Sequence, residues 1–246
     1  MSQSRRPLII FALALVPTLA LGCATAPPPM AAYNPQFRYS YPAGEAAASD
    51  DVTIAIVRPR DASGLTQEKS VGHQHAIAFN AALAAQFQEM LDKKGFKQTG
   101  PFDDLNSMTF PDKKGADLAL TPEVSITVTV PNPVVDMRQT VPGVTSAVPV
   151  IKLTGPCTAS GFVSFVLIEP LSGEKLWVKK VDVPPTASDC TGEQAENDFT
   201  LLSNGVGHSL EKVFPAVMKK AWDYLSPEEV TLLKKQSQEL RAKKVY

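Results

Sequence analysis

Three cysteines hold most of the reactive chemistry in this chain, and their positions assign them two different jobs. Cys23 follows a basic pair, Arg5-Arg6, and an apolar run from Leu8 to Leu21. A charged start followed by a short apolar stretch is the order of an export signal, and the run is too brief to span a bilayer. Two processing routes fit it. Leu19-Ala20-Leu21-Gly22-Cys23 resembles a bacterial lipobox, in which the cysteine is diacylated and becomes the new N-terminus; Ala20 stands where such motifs usually have leucine. Ala24-Thr25-Ala26 fits the small-x-small rule of ordinary secretion but would leave Pro27 first, a residue that peptidase handles badly. The lipobox is the better reading. It expects fatty acid on Cys23, holding the chain to membrane at about 0.8 kcal/mol per buried methylene. Ala24 rather than Asp after the cysteine matches sorting to the outer membrane.

Cys157 and Cys190 read as a disulfide, which an exported chain permits. They flank a hairpin whose turn centres near Ser172, 15 residues after the first and 18 before the second, so pairing its strands brings both to the same open end. The alternative is two reduced thiols.

The histidines promise less. His73 and His75 stand at i and i+2, which on a helix face apart, and no third ligand is suitably spaced beside them. A solvated helix start is the simpler reading. His208 has Ser209 and Glu211 nearby, but the nucleophile motif a triad would need is missing. Phosphate loop and dinucleotide fingerprint are likewise missing. No catalytic residue, metal site or cofactor is expected, and the chain does not read as an enzyme. A formal net charge of −1 gives no field to draw in nucleic acid.

The elements that must position these residues centre on Gly161 to Val183. Phe162 to Ile168 reads as a strand buried on both faces, Glu169 to Gly173 as a turn, and Leu176 to Val183 as a strand nearer the sheet edge, with Trp177 and Val181 inward. Upstream, Val52–Val57 reads as a strand and Ser70–Lys94 as an amphipathic helix with Ile77, Phe79, Leu83, Phe87, Met90 and Leu91 on one stripe. Gly95 stops that helix, and Phe96–Thr99 is a strand ended by Gly100-Pro101, completing a βαβ unit. After a polar loop, 116–120 and 124–130 are a strand pair or one strand broken at Pro122. Residues 131–156 carry five prolines and read as a long excursion, with a possible strand at Val148–Leu153. Residues 184–200 read as polar loop. A second helix follows from about Leu202 to Leu225, which Pro215 should kink or restart. Ser226-Pro227-Glu228-Glu229 is a capping box opening a last helix on the surface or extending from it, its lysines at 234, 235, 243 and 244 a solvated face.

The expected organisation is therefore a signal peptide over 1–22, an Ala/Pro-rich tether over 23–50, an α+β domain over 51–225 and a C-terminal helix over 226–246. The domain is expected to be a twisted, mainly antiparallel sheet with two main helices on one face. Within the tether, Phe37, Tyr39 and Tyr41 alternate as an edge strand docking on the domain would, or form a sticky patch; docking is the better reading.

The segments IAIVRPR at 54–60, MLDKKGFK at 90–97, ADLALTPEVSITV at 116–128 and SGFVSFVLIEPLSGEKL at 160–176, with the closing helices, resemble the neuraminyllactose-binding hemagglutinin (HpaA-like) lipoprotein family. The resemblance runs from about Phe37 to the C-terminus. It implies an outer-membrane or flagellar-sheath lipoprotein, a non-enzymatic adhesin for sialylated glycans. Its partners would be the outer membrane through the lipid anchor and a glycan or envelope protein. Two departures stand out. The family's proposed sugar-binding segment is rich in Lys and Arg, whereas the matching place, Pro133 to Thr140, has only Arg138, so no glycan-binding residue can be assigned. Cys157 and Cys190 lie outside the usual pattern. A periplasm-facing assembly or structural accessory of the envelope or flagellum is the competing expectation.

Overall fold

The computed structural model describes residues 30–42, 51–139 and 147–244. The expected α+β class is what it shows. Strands β1 (Thr53–Val57), β2 (Arg60–Asp61), β3 (Lys97–Phe102), β4 (Leu118–Thr129), β7 (Pro156–Ile168) and β8 (Lys175–Asp189) form one mixed sheet in the order β3-β1-β4-β7-β8, with β2 beside β4. The parallel pairs of β1, β2 and β3 are short, and the antiparallel ladders β4–β7 and β7–β8 are long. Strands β5 (Val134–Gln139), β6 (Ala147–Leu153) and β9 (Gly192–Ala195) make a second, antiparallel sheet.

The helices α1 (His73–Lys93) and α3 (Thr200–Tyr224) cover one face of the large sheet. The core between them is built on Phe79, Leu83, Phe87 and Met90 from α1, Val213, Phe214 and Val217 from α3, and Ile54, Ile56, Leu120, Val163 and Phe165 from the strands. Ile77 lies outside this core, nearly half exposed, because the buried stripe of α1 runs through Ala76, Phe79 and Leu83 instead. Gly95 ends α1 at φ 77°, as its place after two lysines predicts.

The opposite face of the sheet is covered at one end only. Ala55, Ala119 and Ile168 meet Met108 and Ala116 there, beneath the loop after β3 and a short helix, α2 (Phe110–Gly115), in the segment expected to be polar loop. Thr109 and Asp112 close a reciprocal capping box on it. Ser164 and Val166 on β7 are thus partly exposed, and the strand is not buried on both faces as its composition suggested.

Pro122 does not break β4. On one side Leu118–Leu120 pair with β1 and Glu123–Val124 with β2, so the proline falls opposite the gap that Arg58-Pro59 opens between them. A missing N–H costs little where no partner waits for it. β3 likewise continues past Gly100-Pro101 to Phe102, by a register shift against β1. Residues 184–189, expected as loop, extend β8, and the excursion at 131–156 folds as the β5–β6 hairpin and the start of β7. α3 runs unbroken through Pro215, which is exposed, so water can serve the carbonyl it leaves unpaired.

The last helix, α4 (Pro227–Lys243), is latched to the domain; Lys235, Lys243 and Lys244 are exposed as expected, whereas Lys234 is half-buried. Val230 and Leu233 enter the core; Lys234 pairs with Asp117 at 3.3 Å, and Lys244 with Glu174 at 2.9 Å. Ser226 caps the N–H of Glu229, but the Glu229 carboxylate accepts from the Trp177 indole at 2.6 Å instead of closing the box. The strongest tie is Arg241. It donates to the buried Glu169 carboxylate at 2.8 Å and to the carbonyls of Lys113, Lys114 and Ala116. Burial alone would raise the Glu169 pKa, but hydrogen bonds from Leu171, Ser172 and Arg241 outweigh it and hold the group below its ordinary range. Removing one partner of a buried pair costs far more than removing an exposed one. Arg241→Met should therefore lower unfolding free energy by about 3 kcal/mol in urea titrations. Arg58→Ala, which breaks the exposed Arg58–Asp103 pair, should stay within about 1 kcal/mol.

Candidate functional site

The part of the molecule that does something a bare sheet-and-helix domain need not do is the extended segment 30–42. It forms no strand and pairs with no sheet edge, contrary to the edge-strand expectation. It does dock, as a strap along the groove between α1 and α3. Tyr33, Pro35, Phe37, Tyr39 and Tyr41 turn inward and the residues between them turn out, the alternation of any extended chain with one side covered.

Each inward side chain has a defined seat. Phe37 packs edge-on against Phe79 and tilted against Phe214, at ring separations of 5.4 and 5.5 Å. Tyr41 lies 5.2 Å from the Trp222 ring and donates its hydroxyl to the Gln86 carbonyl at 2.6 Å, while the Lys94 ammonium covers Trp222 at 3.9 Å. Tyr33 stacks on the His208 imidazole at 3.6 Å and donates its hydroxyl to Glu211. The backbone is held as well. The Tyr33 N–H donates to Asn204, the Gln36 N–H to Glu211, and the Asn204 amide to the Ala31 carbonyl. The strap therefore runs parallel to α3, from its first turns at Asn204 to its last at Trp222.

Where the strap begins, an open groove of about 810 Å³ separates the starts of α1 and α3. Ala32, Lys69, Val71, His73, Phe199 and Ser203 help to line it. The first turn of α3 is already served, since Asp198 accepts from Thr200 N–H and Gln194 from Leu201 N–H. His73 and His75 divide as their spacing predicts. His73 meets Gln74 in solvent, and His75 turns inward, where the bare Cα of Gly207 leaves room for its ring and that of Tyr33. Burial lowers the pKa of His75, and His208 adds to it; burial and then Lys212 lower that of His208. Among the described residues no three His, Cys, Asp or Glu side chains converge as metal ligands.

Behind the groove, Cys157 on β7 and Cys190 just after β8 are joined, with Cα atoms 5.6 Å apart. They sit in a small cluster with Leu153, Leu201 and Leu202. α3 crosses so close that a Cβ on Gly205 would collide with the Cys190 sulfur. Cys23 lies outside the described residues. The Pro133 to Thr140 segment, the place of the anticipated sugar site, contains β5; Val134, Val135, Asp136 and Met137 are exposed there, and Arg138 is its single cationic residue. The strap's polar seats were beyond reach of periodicity. Tyr33 and Glu211 are 178 residues apart, and the only hint was the odd-numbered aromatic alternation.

No protein-family model matches the chain, and no curated protein matches it in sequence. Solved structures do match. A neuraminyllactose-binding hemagglutinin homolog from Helicobacter pylori is 16% identical with a TM-score of 0.59, over 81% of this chain and 98% of that one. A DUF330 protein from Xanthomonas campestris is 11% identical with a TM-score of 0.40, over 84% and 97%. The first shares the fold, so the resemblance read from the sequence holds at that level.

Two measurements check this end of the molecule. Reduction of the Cys157–Cys190 bond, which closes a 33-residue separation, should cost about 4 kcal/mol and lower Tm in scans with and without reductant. The second is pH. His75 and His208 are held neutral in the fold, so their contribution is complete above their unfolded value near 6.5 and is lost as pH falls below it. Asp61 and Glu169 also have lowered values, but they lose stabilisation only at more acidic pH. Tm should thus fall between pH 7.5 and 5.5, and a His75→Asn, His208→Gln variant should lose most of that dependence.

Proposed function

We propose that this chain is a lipid-anchored binding protein of the bacterial cell envelope that works without catalysis. The observation that carries the reading is the strap. A tether of no further use would have no reason to lay five alternate side chains into a groove along the length of α3. Joined to the lipobox-like sequence before it, the strap turns a membrane anchor at Cys23 into a fixed mount for the domain. The fold shared with the Helicobacter pylori hemagglutinin homolog supports a binding role. No helix among the described residues is long and apolar enough to cross a membrane.

Within that reading, the anchor is in the outer membrane and the domain acts as an adhesin-like binding protein. The short span between Cys23 and the strap favours a second reading, a periplasm-facing accessory of envelope or flagellum that works through protein partners. Six residues separate Cys23 from Met30, and a domain held that close to its membrane is better placed for neighbours in the envelope than for distant glycans.

Mass spectrometry of protein from bacterial membranes should find acyl groups on Cys23, and Cys23→Ser should move the protein to the soluble fraction. An unmodified N-terminus would end the anchored reading. Protease shaving of whole against lysed cells then separates the two roles: digestion in whole cells supports the adhesin, and protection until lysis supports the accessory.

A further inference from the structure

The strap does more than attach the domain; it decides which end meets the membrane. It enters at Asn204, in the first turns of α3, and leaves at Trp222, in the last. α3 has 25 residues, about 37 Å of helix, so the two ends of the domain are well separated. β4 agrees. Its 12 residues begin beside α2 and α4 and end at Thr129, where Val128 and the following Val130 pack against the disulfide cluster. The seven Cα-to-Cα steps from Cys23 to Met30 span at most about 25 Å by whatever path. With acyl groups on Cys23, the end holding the disulfide, the groove and the small sheet is kept within that reach of the bilayer, and the far end is not.

That end carries apolar side chains with no role inside the domain. Phe199, before α3, is 53% exposed, and Val134, Val135 and Met137 on β5 are 63%, 56% and 61% exposed. They belong to one continuous region. Asp136 pairs with Val150, Val150 with Ala195, and the Ala195 carbonyl accepts from the N–H of Asp198, next to Phe199. Ala32 of the strap and Phe199 line the same groove. β5 is also an edge strand, and it differs from the other long edges. β3 has Lys97, Gly100 and Pro101, and β8 has Lys175, Lys179, Lys180 and Pro184-Pro185, the residues that keep edges from pairing. β5 has no lysine or proline; beside Asp136 and Arg138 it exposes Val134, Val135 and Met137 on both of its faces. A flat partner covers one face of a strand. The headgroup region of a bilayer surrounds both, and its water and ester oxygens can serve the unpaired backbone.

We infer that the disulfide end of the domain is a bilayer-contact surface, with Phe199, Val135 and Met137 lying at the headgroup level of the membrane that holds the lipid anchor. This rests on acylation at Cys23.

The test places a nitroxide at Met137→Cys or Phe199→Cys, with Phe110→Cys and Leu232→Cys at the far end as controls, in the acylated full chain on vesicles of phosphatidylethanolamine and phosphatidylglycerol. With Cys23 acylated and Cys157 joined to Cys190, the new thiol is the one that reacts. All four positions are exposed, and thermal melts confirm that each labelled protein is folded. The ratio of oxygen to nickel-complex accessibility should be several-fold higher at 137 and 199 than at 110 and 232. Equal, water-like ratios at all four in protein that sediments with vesicles overturn the inference and leave the anchor standing. Water-like ratios with spin–spin broadening at 137 replace the bilayer by a second copy of the chain, and also overturn it. Protein that does not sediment with vesicles removes the anchor and the inference together.

Discussion

The aromatic seam between the strap and the two long helices is the interaction on which the rest of this molecule depends. Phe37 sits between Phe79 and Phe214, so the strap, α1 and α3 share one set of rings. Without it, the groove between the helices would be an open apolar trough, and the domain would swing on a loose leader. Polar groups at either end fix the register. Tyr33, Gln36 and Asn204 at the start and Tyr41 at the finish meet hydrogen-bond partners that a shift by one residue would turn to the wrong side. The seam therefore supplies direction as well as adhesion, which a greasy contact alone would not.

The two ends of the domain are closed by different chemistry. At the strap's entry, a covalent bond joins the ends of the β7–β8 hairpin, and α3 lies so close over it that residue 205 has no room for a side chain. At the far end, α4 is secured by an ion pair whose carboxylate is buried and fully engaged, with Arg241 also taking up three backbone carbonyls. A covalent closure suits an end where apolar side chains such as Phe199, Val135 and Met137 are left exposed. The far end can rely on packing and charge, because Val230, Leu233 and Trp177 bring α4 into the main core.

Much of the fold was legible because its signals are local. The β7–β8 hairpin, the βαβ unit, the stop at Gly95 and the cap at Ser226 follow from periodicity and turn chemistry within a few residues. What was not legible depends on neighbours distant in sequence. Pro122 looks like a strand breaker until β1 and β2 are seen to leave a gap beside it. Lys234 looks solvated until Asp117 arrives from another element. Proline-rich composition hid β5, whose exposed valines give no inside-outside alternation to read, whereas its partner β6 matches the strand expected at Val148–Leu153. At the candidate site the sequence offered the alternation of Phe37, Tyr39 and Tyr41, which is the same for a strand in a sheet and a strap on helices. Its hydrogen-bond seats at Asn204 and Glu211 could only be found in three dimensions.

Amide hydrogen exchange across residues 30–42 tests the rigid strap most directly, because the N–H groups of Tyr33 and Gln36 donate to side chains of α3 and to nothing local. The account predicts that these two amides exchange on the slow timescale of the α3 amides beneath them. Exchange at the rate of an unstructured peptide, with α3 itself still protected, would contradict it.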